Sequence, residues 1–267
     1  MSEDILKVQE IQLEITTEFK RICDTYNLQY FLIYGSLLGA VRHEGFIPWD
    51  DDIDIGMPRK DYDQFVSKYY KELDNKYCMH SRRTDSMFWL SICKIRKKHT
   101  LYLEESTSLM TSTHGIFIDI FPFDNSYDKN NFITRFQRKL TNYISLSVFF
   151  KTGIKGSDVQ SLKAKLILLV LWPFKVKTLN YMQELIMRAN IDKRARYISN
   201  FAGVYNLSHE VFPISDIFPV KTLLFKGLRL NVPRNYHSML ESVYGDYMTL
   251  PPPDQRKGKH AIQVKFN

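Results

Sequence analysis

The feature that most restricts how this 267-residue chain can fold is the run Asp50-Asp51-Asp52-Ile53-Asp54-Ile55-Gly56. From Asp52 onward polar and apolar residues alternate, which is the period of a half-buried strand. On a strand, residues two apart share a face, so Asp52 and Asp54 converge while Ile53 and Ile55 enter a core. Two converging carboxylates repel and resist ionisation, so such a pair is tolerated mainly where a cation sits between them. Asp119 poses the same problem: it is the one carboxylate in the apolar segment Ile116 to Phe121, which stops at Pro122, and a buried charge without compensation is costly. A shared Mg²⁺ site answers it for all three, because Mg²⁺ prefers carboxylate oxygens and bridges substrate phosphates. Taken separately, the acidic run also reads as a solvated loop, and Asp119 as a carboxylate paired with an Arg or Lys.

The preceding residues favour the first reading. Tyr30 to Tyr34 reads as a short buried strand, Gly35-Ser36 as a tight turn, and Leu37 to Val41 as a helix. A Gly there lets the backbone approach a phosphate, and a helix N-terminus adds amide donors and a favourable dipole. Upstream, Val8, Ile11, Ile15, Phe19 and Ile22 recur at helical spacing, predicting an amphipathic helix to about Tyr26-Asn27. Downstream, a helix after Pro58 carries Tyr62, Phe65, Val66, Tyr69 and Leu73 on one face, and a second alternating segment runs from Phe88 to Ile95. These pieces predict an α+β fold, a small mixed sheet flanked by helices. Residues 129–190 change to long helical stretches and form a separate helical insertion between a core at 1–128 and a C-terminal portion at 191–267 that packs on the core. In that last portion Leu223 to Val232 reads as a hairpin turning at Lys226-Gly227, and Tyr236 to Tyr244 as a helix.

Composition narrows the setting. Lys and Arg exceed Asp and Glu by 37 to 29, which favours an anionic partner such as a nucleotide, a polyphosphate or an acidic membrane surface. Cys23, Cys78 and Cys93 form no Cys-x-x-Cys pair, and an odd number argues against a closed disulfide framework. No basic start or apolar stretch of a secretory signal opens the chain, so a cytoplasmic protein is expected. The apolar run Leu166 to Trp172 is far shorter than the ~20 residues that cross a bilayer. Bracketed by Lys163, Lys165, Lys175 and Lys177, it has the composition of an interfacial helix, although a buried packing helix fits it equally.

Three stretches carry a family resemblance. Tyr34-Gly35-Ser36-Leu37-Leu38-Gly39-Ala40-Val41-Arg42-His43, running on to Ile47-Pro48-Trp49-Asp50-Asp51-Asp52-Ile53-Asp54, resembles the LicD family of phosphocholine transferases, related to fukutin and set in the nucleotidyltransferase-fold superfamily. Ile118-Asp119-Ile120-Phe121-Pro122 and the closing Tyr244-Gly245-Asp246-Tyr247-Met248, with Pro251-Pro252 and Arg256, match it as well. The resemblance implies a nucleotidyltransferase-like sheet and transfer of phosphocholine, or a related phosphoalcohol, from CDP-choline or another CDP-alcohol to a sugar hydroxyl, with CMP leaving. The expected acceptor is a lipid-linked glycan or teichoic acid precursor, met peripherally at the inner face of the plasma membrane.

Two Mg²⁺ ions, or Mn²⁺, held by Asp52, Asp54 and Asp119 suit phosphoryl transfer, which needs charge neutralisation and in-line positioning. Asp119 is the expected general base, and Gly35-Ser36 the donor-phosphate site. Arg42 and His43 reach a phosphate or form a surface salt bridge. Trp49 stacks on the base, faces the quaternary ammonium, or anchors the core. Lys94, followed by Arg96, Lys97 and Lys98, contacts the donor pyrophosphate or sits on a solvated edge. A nucleotidyltransferase acting on a small molecule or RNA is the alternative; the Trp-Asp-Asp-Asp loop and the closing motif speak against it, and no nucleic-acid partner is expected.

Overall fold

The alternating segments assemble into one seven-stranded mixed sheet. The computed structural model describes residues 3–86, 88–104, 114–151, 162–190, 195–203, 205–256, 258 and 261–266. Helix α1 (Glu3–Tyr26) opens the chain and turns Val8, Ile15, Phe19 and Ile22 inward. Next come β1 (Phe31–Leu32), α2 (Tyr34–His43), β2 (Asp54–Pro58) and α3 (Arg59–Ser67), then β3 (Tyr77–His80), β4 (Cys93–Lys97), β5 (Leu101–Glu104) and β6 (Phe117–Ser126). The main strand order is β1-β2-β6-β4-β3, with β2 and β6 parallel and the other pairs in this path antiparallel. The far end of β6 pairs with β7 (Tyr197–Ser199), which pairs with β8 (Val211–Pro213).

The remainder packs around this sheet. Helices α4 (Phe132–Lys151), α5 (Leu162–Leu171) and α6 (Val176–Met187) share a small core of Ile144, Val148, Leu171 and Leu179. Beyond the short α7 (Ile214–Ile217), β9 (Lys221–Phe225) and β10 (Leu228–Val232) form the expected hairpin, with Lys226 and Gly227 both at positive φ in the turn. Helix α8 (Tyr236–Tyr244) and β11 (Ala261–Lys265), which pairs with β5, complete the chain. The main core draws on α1, α2, α3, the central strands and the C-terminal elements together. Phe19 packs edge-on to both Tyr30 and Phe65.

Several sequence expectations need correction. Tyr34 is the first residue of α2 rather than the end of a strand, so Gly35 and Ser36 form a first helical turn instead of a separate tight turn. Strand β2 begins at Asp54, leaving Asp52 in the extended segment before it. Phe88 to Ile92 is loop, and only Cys93 onward is strand; Phe88 and Ile92 build a small cluster of their own, which alternation alone cannot tell from a strand face. Strand β6 continues through Pro122, which falls between the last pair with β4 at Ile120 and the first with β7 at Asp124. A residue lacking an N–H is harmless where no antiparallel neighbour needs a donor.

Helix α6 is tied to the core by ion pairs. Arg59 donates twice to Asp124, at 2.7 and 2.6 Å, and reaches Glu184 at 3.2 Å, while Arg188 pairs with Asp63 and with Glu184 at 3.0 Å. Asp124 is only 2% exposed, so removing Arg59 leaves a buried charge alone. Arg59→Ala is expected to cost about 3–5 kcal/mol, and pairing Arg59→Met with Asp124→Leu to recover most of it. Urea denaturation of the two variants and the parent measures both effects.

Candidate active site

Strand register sets three charged residues abreast. Asp54 on β2 lies opposite Asp119 on β6, and Asp119 lies opposite Lys94 on β4. Lys94 is 1% exposed. Its Nζ lies 3.0 Å from Asp119 Oδ1 and 3.2 Å from Glu104 Oε2, and it donates to Asp119 Oδ2 at 3.1 Å. On the opposite face of the same strands, Ile55, Ile118, Ile120 and Ile95 enter the core, as does Ile53 just before β2. The alternation seen in the sequence thus separates a charged face from an apolar one.

The charged face opens into a cavity of about 590 Å³ lined by Asp50, Asp52, Asp54, Glu104, Asp119 and Asp246, with Gly35, Arg42, Trp49 and an aromatic wall. Burial first, then the charges of Asp52, Asp119 and Asp50, holds the Asp54 carboxyl well above the ordinary carboxylate range. Asp119 is pushed up by burial to about 6, with the Lys94 ammonium opposing the rise.

The loop before β2 is clamped from outside. Gln9 Nε2 donates to the carbonyl of Asp50 at 2.8 Å, and Gln12 Nε2 to those of Asp51 at 2.7 Å and Phe117 at 3.2 Å. Two glutamines on the buried face of α1 therefore fix the acidic loop to the start of β6. Ser36 Oγ accepts from the amide of Asp54 at 2.8 Å and is itself buried. It positions the Asp54 backbone and is not among the residues that line the cavity. Gly35 does line the cavity; a Cβ there would stand 2.6 Å from Asp50 Oδ2 and would force that carboxylate to shift. The first-turn amides of α2, Gly35 among them, lack helical acceptors.

Other expectations divide. Arg42 lines the cavity, but its Nη1 donates to the carbonyl of Tyr247 at 2.7 Å and its Nε to His43 Nε2 at 3.1 Å. His43 is therefore held against Arg42 and does not line the cavity. Trp49 lines it too, with the Arg256 guanidinium 5.8 Å from its ring centre. Lys94 is paired with Asp119 and Glu104, which it neutralises, and it is not among the residues that line the cavity. Lys98 is described but outside the cavity lining; the basic residues Lys257, Lys259 and His260 near the C-terminus lie outside the described residues.

Sequence reasoning missed Glu104, Asp246, Phe121, Tyr205, Tyr244 and Tyr247 as lining residues. Tyr244, Asp246 and Tyr247 lie in the closing motif, and that was their only signal.

Fit to a divalent cation follows from the charge of the lining. Among the described lining residues, six carboxylates face one arginine, a field that a diphosphate enters only with added cations. Hard carboxylate oxygens suit Mg²⁺, which keeps water and substrate phosphate in its shell. As placed, and among the described residues, no three His, Cys, Asp or Glu side chains are grouped so as to hold a metal ion by themselves, so substrate phosphate and water would have to complete the shell.

A mixed sheet that sets carboxylates abreast on parallel strands beside a helix N-terminus suits metal-assisted transfer of a phosphate group. The profile of the LicD/FKTN/FKRP nucleotidyltransferase domain matches residues 27–152 of this chain. The chain is 29% identical over 255 residues to the lipopolysaccharide cholinephosphotransferase LicD of Haemophilus influenzae, covering 94% of each chain. An uncharacterized protein of Rickettsia typhi is 38% identical over 84 residues, 28% of this chain and 27% of its own. One of Rickettsia prowazekii is 57% identical over 35 residues, 13% of each.

Because the folded Asp119 carboxyl titrates near 6, the site is fully ionised only above that pH and loses charge as pH falls through it. In metal-free protein, carbon NMR titration of Asp119 is expected to give a midpoint near 6. Lys94→Met removes the cation that opposes the rise and should lift the midpoint by about 1–3 units.

Proposed function

We propose that this protein transfers phosphocholine from a CDP-activated donor to a sugar hydroxyl of a lipid-linked glycan, releasing CMP. The observation that carries the reading is the row of Asp54, Asp119 and Lys94 at a cavity with Asp52 and the α2 N-terminus, in a chain related over nearly its whole length to a lipopolysaccharide cholinephosphotransferase. Asp52, Asp54 and Asp119 would hold the divalent ions, Mg²⁺ or Mn²⁺. Bound there, the ions supply neutralisation of the diphosphate.

The chain's own residues do the rest. Gly35 and the α2 amides receive donor phosphate at a positive helix end. The acceptor oxygen attacks the phosphorus that bears choline, the bond from that phosphorus to the CMP oxygen breaks, and the hydroxyl proton passes to Asp119. Lys94 keeps the Asp119 pKa from rising further and so keeps this carboxylate able to accept. Incubated with Mg²⁺ and a panel of CDP-alcohols, the protein should release CMP fastest from CDP-choline once acceptor glycan is present. Release should stop in EDTA, and Asp54→Asn should slow it at least about a hundredfold, since even groups that only orient a metal ligand are worth 10–100-fold. Full activity in EDTA would refute the metal.

The acceptor reading extends to a membrane contact. Among the described residues no helix is long and apolar enough to cross a membrane. Helix α5 and the residues after it instead have two sides: Leu171 is buried in the helical core, whereas Leu169 and Val170 are each 69% exposed beside exposed Leu166, Trp172 and Phe174. Exposed Lys165, Lys175 and Lys177 flank them. The side chain of Lys163 lies outside the described residues. This surface docks reversibly on anionic membrane at the inner leaflet, apolar insertion being joined by about 1 kcal/mol per Lys near the surface. In vesicle co-sedimentation, binding should weaken in high salt and vanish in Leu169→Asp/Val170→Asp without change in melting temperature. Leu171→Asp should instead lower the melting temperature sharply.

A further inference from the structure

Four aromatic rings in the cavity are not used by the chemistry above. Tyr34, Phe121, Tyr205 and Tyr244 all line it. Tyr34 meets Phe121 at 5.9 Å and 89° and Tyr205 at 4.9 Å and 46°, while Tyr205 meets Tyr244 at 6.3 Å and 83°. Rings set this steeply to one another do not form the parallel slot that a flat base enters, and all four meet at one side of the cavity.

The rings are held from behind. The Tyr34 hydroxyl donates to Glu210 Oε2 and accepts from Asn200 Nδ2 at 2.7 Å. Glu210, fully buried, also accepts the amide of Tyr205 at 3.1 Å, and Arg138 on α4 donates to the carbonyl of Tyr205 at 2.7 Å. Tyr34 sits at φ 47°, a left-handed conformation that a bulky residue keeps only when its surroundings fix it. A pre-set corner loses little freedom when a ligand arrives.

Among the described residues no Lys or Arg lies over any of these four rings, whereas Trp49 carries Arg256. The neighbouring carboxylates make the cavity favourable to a cation. A trimethylammonium group has no N–H to donate and is recognised by ring faces and negative potential, whereas a primary ammonium is better served by hydrogen-bond acceptors.

We infer that Tyr34, Phe121, Tyr205 and Tyr244 form the pocket that receives the quaternary ammonium of the donor alcohol, and that this corner, not Trp49, selects a choline-type head group. The inference rests on the phosphocholine reading of the site.

Calorimetric titration of the full chain with CDP-choline, CDP-ethanolamine and CMP, in Mg²⁺ and without acceptor, tests it. The parent should prefer CDP-choline over CDP-ethanolamine by about tenfold, and Tyr205→Leu and Tyr244→Leu should each remove most of that preference while leaving CMP affinity unchanged. Tyr205→Phe keeps the ring and should keep the preference. Tyr244→Leu, at the end of α8 and only half-buried, carries the test if melting shows Tyr205→Leu to be unfolded. A preference unchanged in a folded leucine variant overturns the pocket alone. Equal loss of all three ligands, CMP included, also overturns it and assigns the rings to the nucleotide. Failure of every CDP-alcohol to bind the parent overturns the phosphocholine reading, and the pocket with it.

Discussion

The site depends on the register of β6 between β2 and β4. One slipped residue would turn Asp119 into the core and an isoleucine into the cavity, since side chains alternate along a strand. In the register observed, Asp54, Asp119 and Lys94 stand side by side. Like charges abreast raise the cost of ionising each, and the buried ammonium at the end of the row offsets part of it. The ordering also separates tasks. Asp54, beside Asp52 and remote from the lysine's direct contacts, keeps the strongest demand for an added cation, whereas Asp119 is partly satisfied by the chain itself.

The clamps around the row make sense as answers to that repulsion. Charges forced together would push the loop bearing Asp50 to Asp52 outward unless its backbone were fixed. Gln9, Gln12 and Ser36 fix it through carbonyls and one amide. None of these three touches the cavity, so they spend no lining surface on the task. Buried glutamines on a helix otherwise packed by Ile15, Phe19 and Ile22 would be costly without such partners.

What the sequence revealed follows from how local each signal was. The acidic alternation, the glycine after β1 and Asp119 in its apolar strand are short-range patterns, and the structure brings their residues to one cavity. Ser36 stands outside the lining although its neighbour Gly35 belongs to it, because the direction of a hydroxyl is not written in the chain. The pairing of Lys94 was hidden because its partner Asp119 lies 25 residues away, and pairing across strands is a property of register. Glu104, Glu210 and Arg138 carried no local pattern at all. The extension of β6 through Pro122 was hidden by a rule that holds where both neighbours pair, which is not the case at that position.

Helix α4 shows why the helical layer and the site belong to one device. Thr134, Gln137, Arg138 and Thr141 are buried, while Phe132 is 79% exposed, with Ile133 and Phe136 also exposed. Its inner face thus carries the arginine whose guanidinium caps the carbonyls of Asn200, Phe201, Gly203 and Tyr205. That loop delivers Tyr205 to the cavity, and its neighbour Glu210 fixes Tyr34. A single rigid helix therefore presents apolar rings outward at its start and, one turn on, grips the loop that shapes the ring corner inward. Any surface that the outer face meets is mechanically continuous with the pocket, because a charged fork bonded to four carbonyls leaves that loop little freedom to move apart from α4.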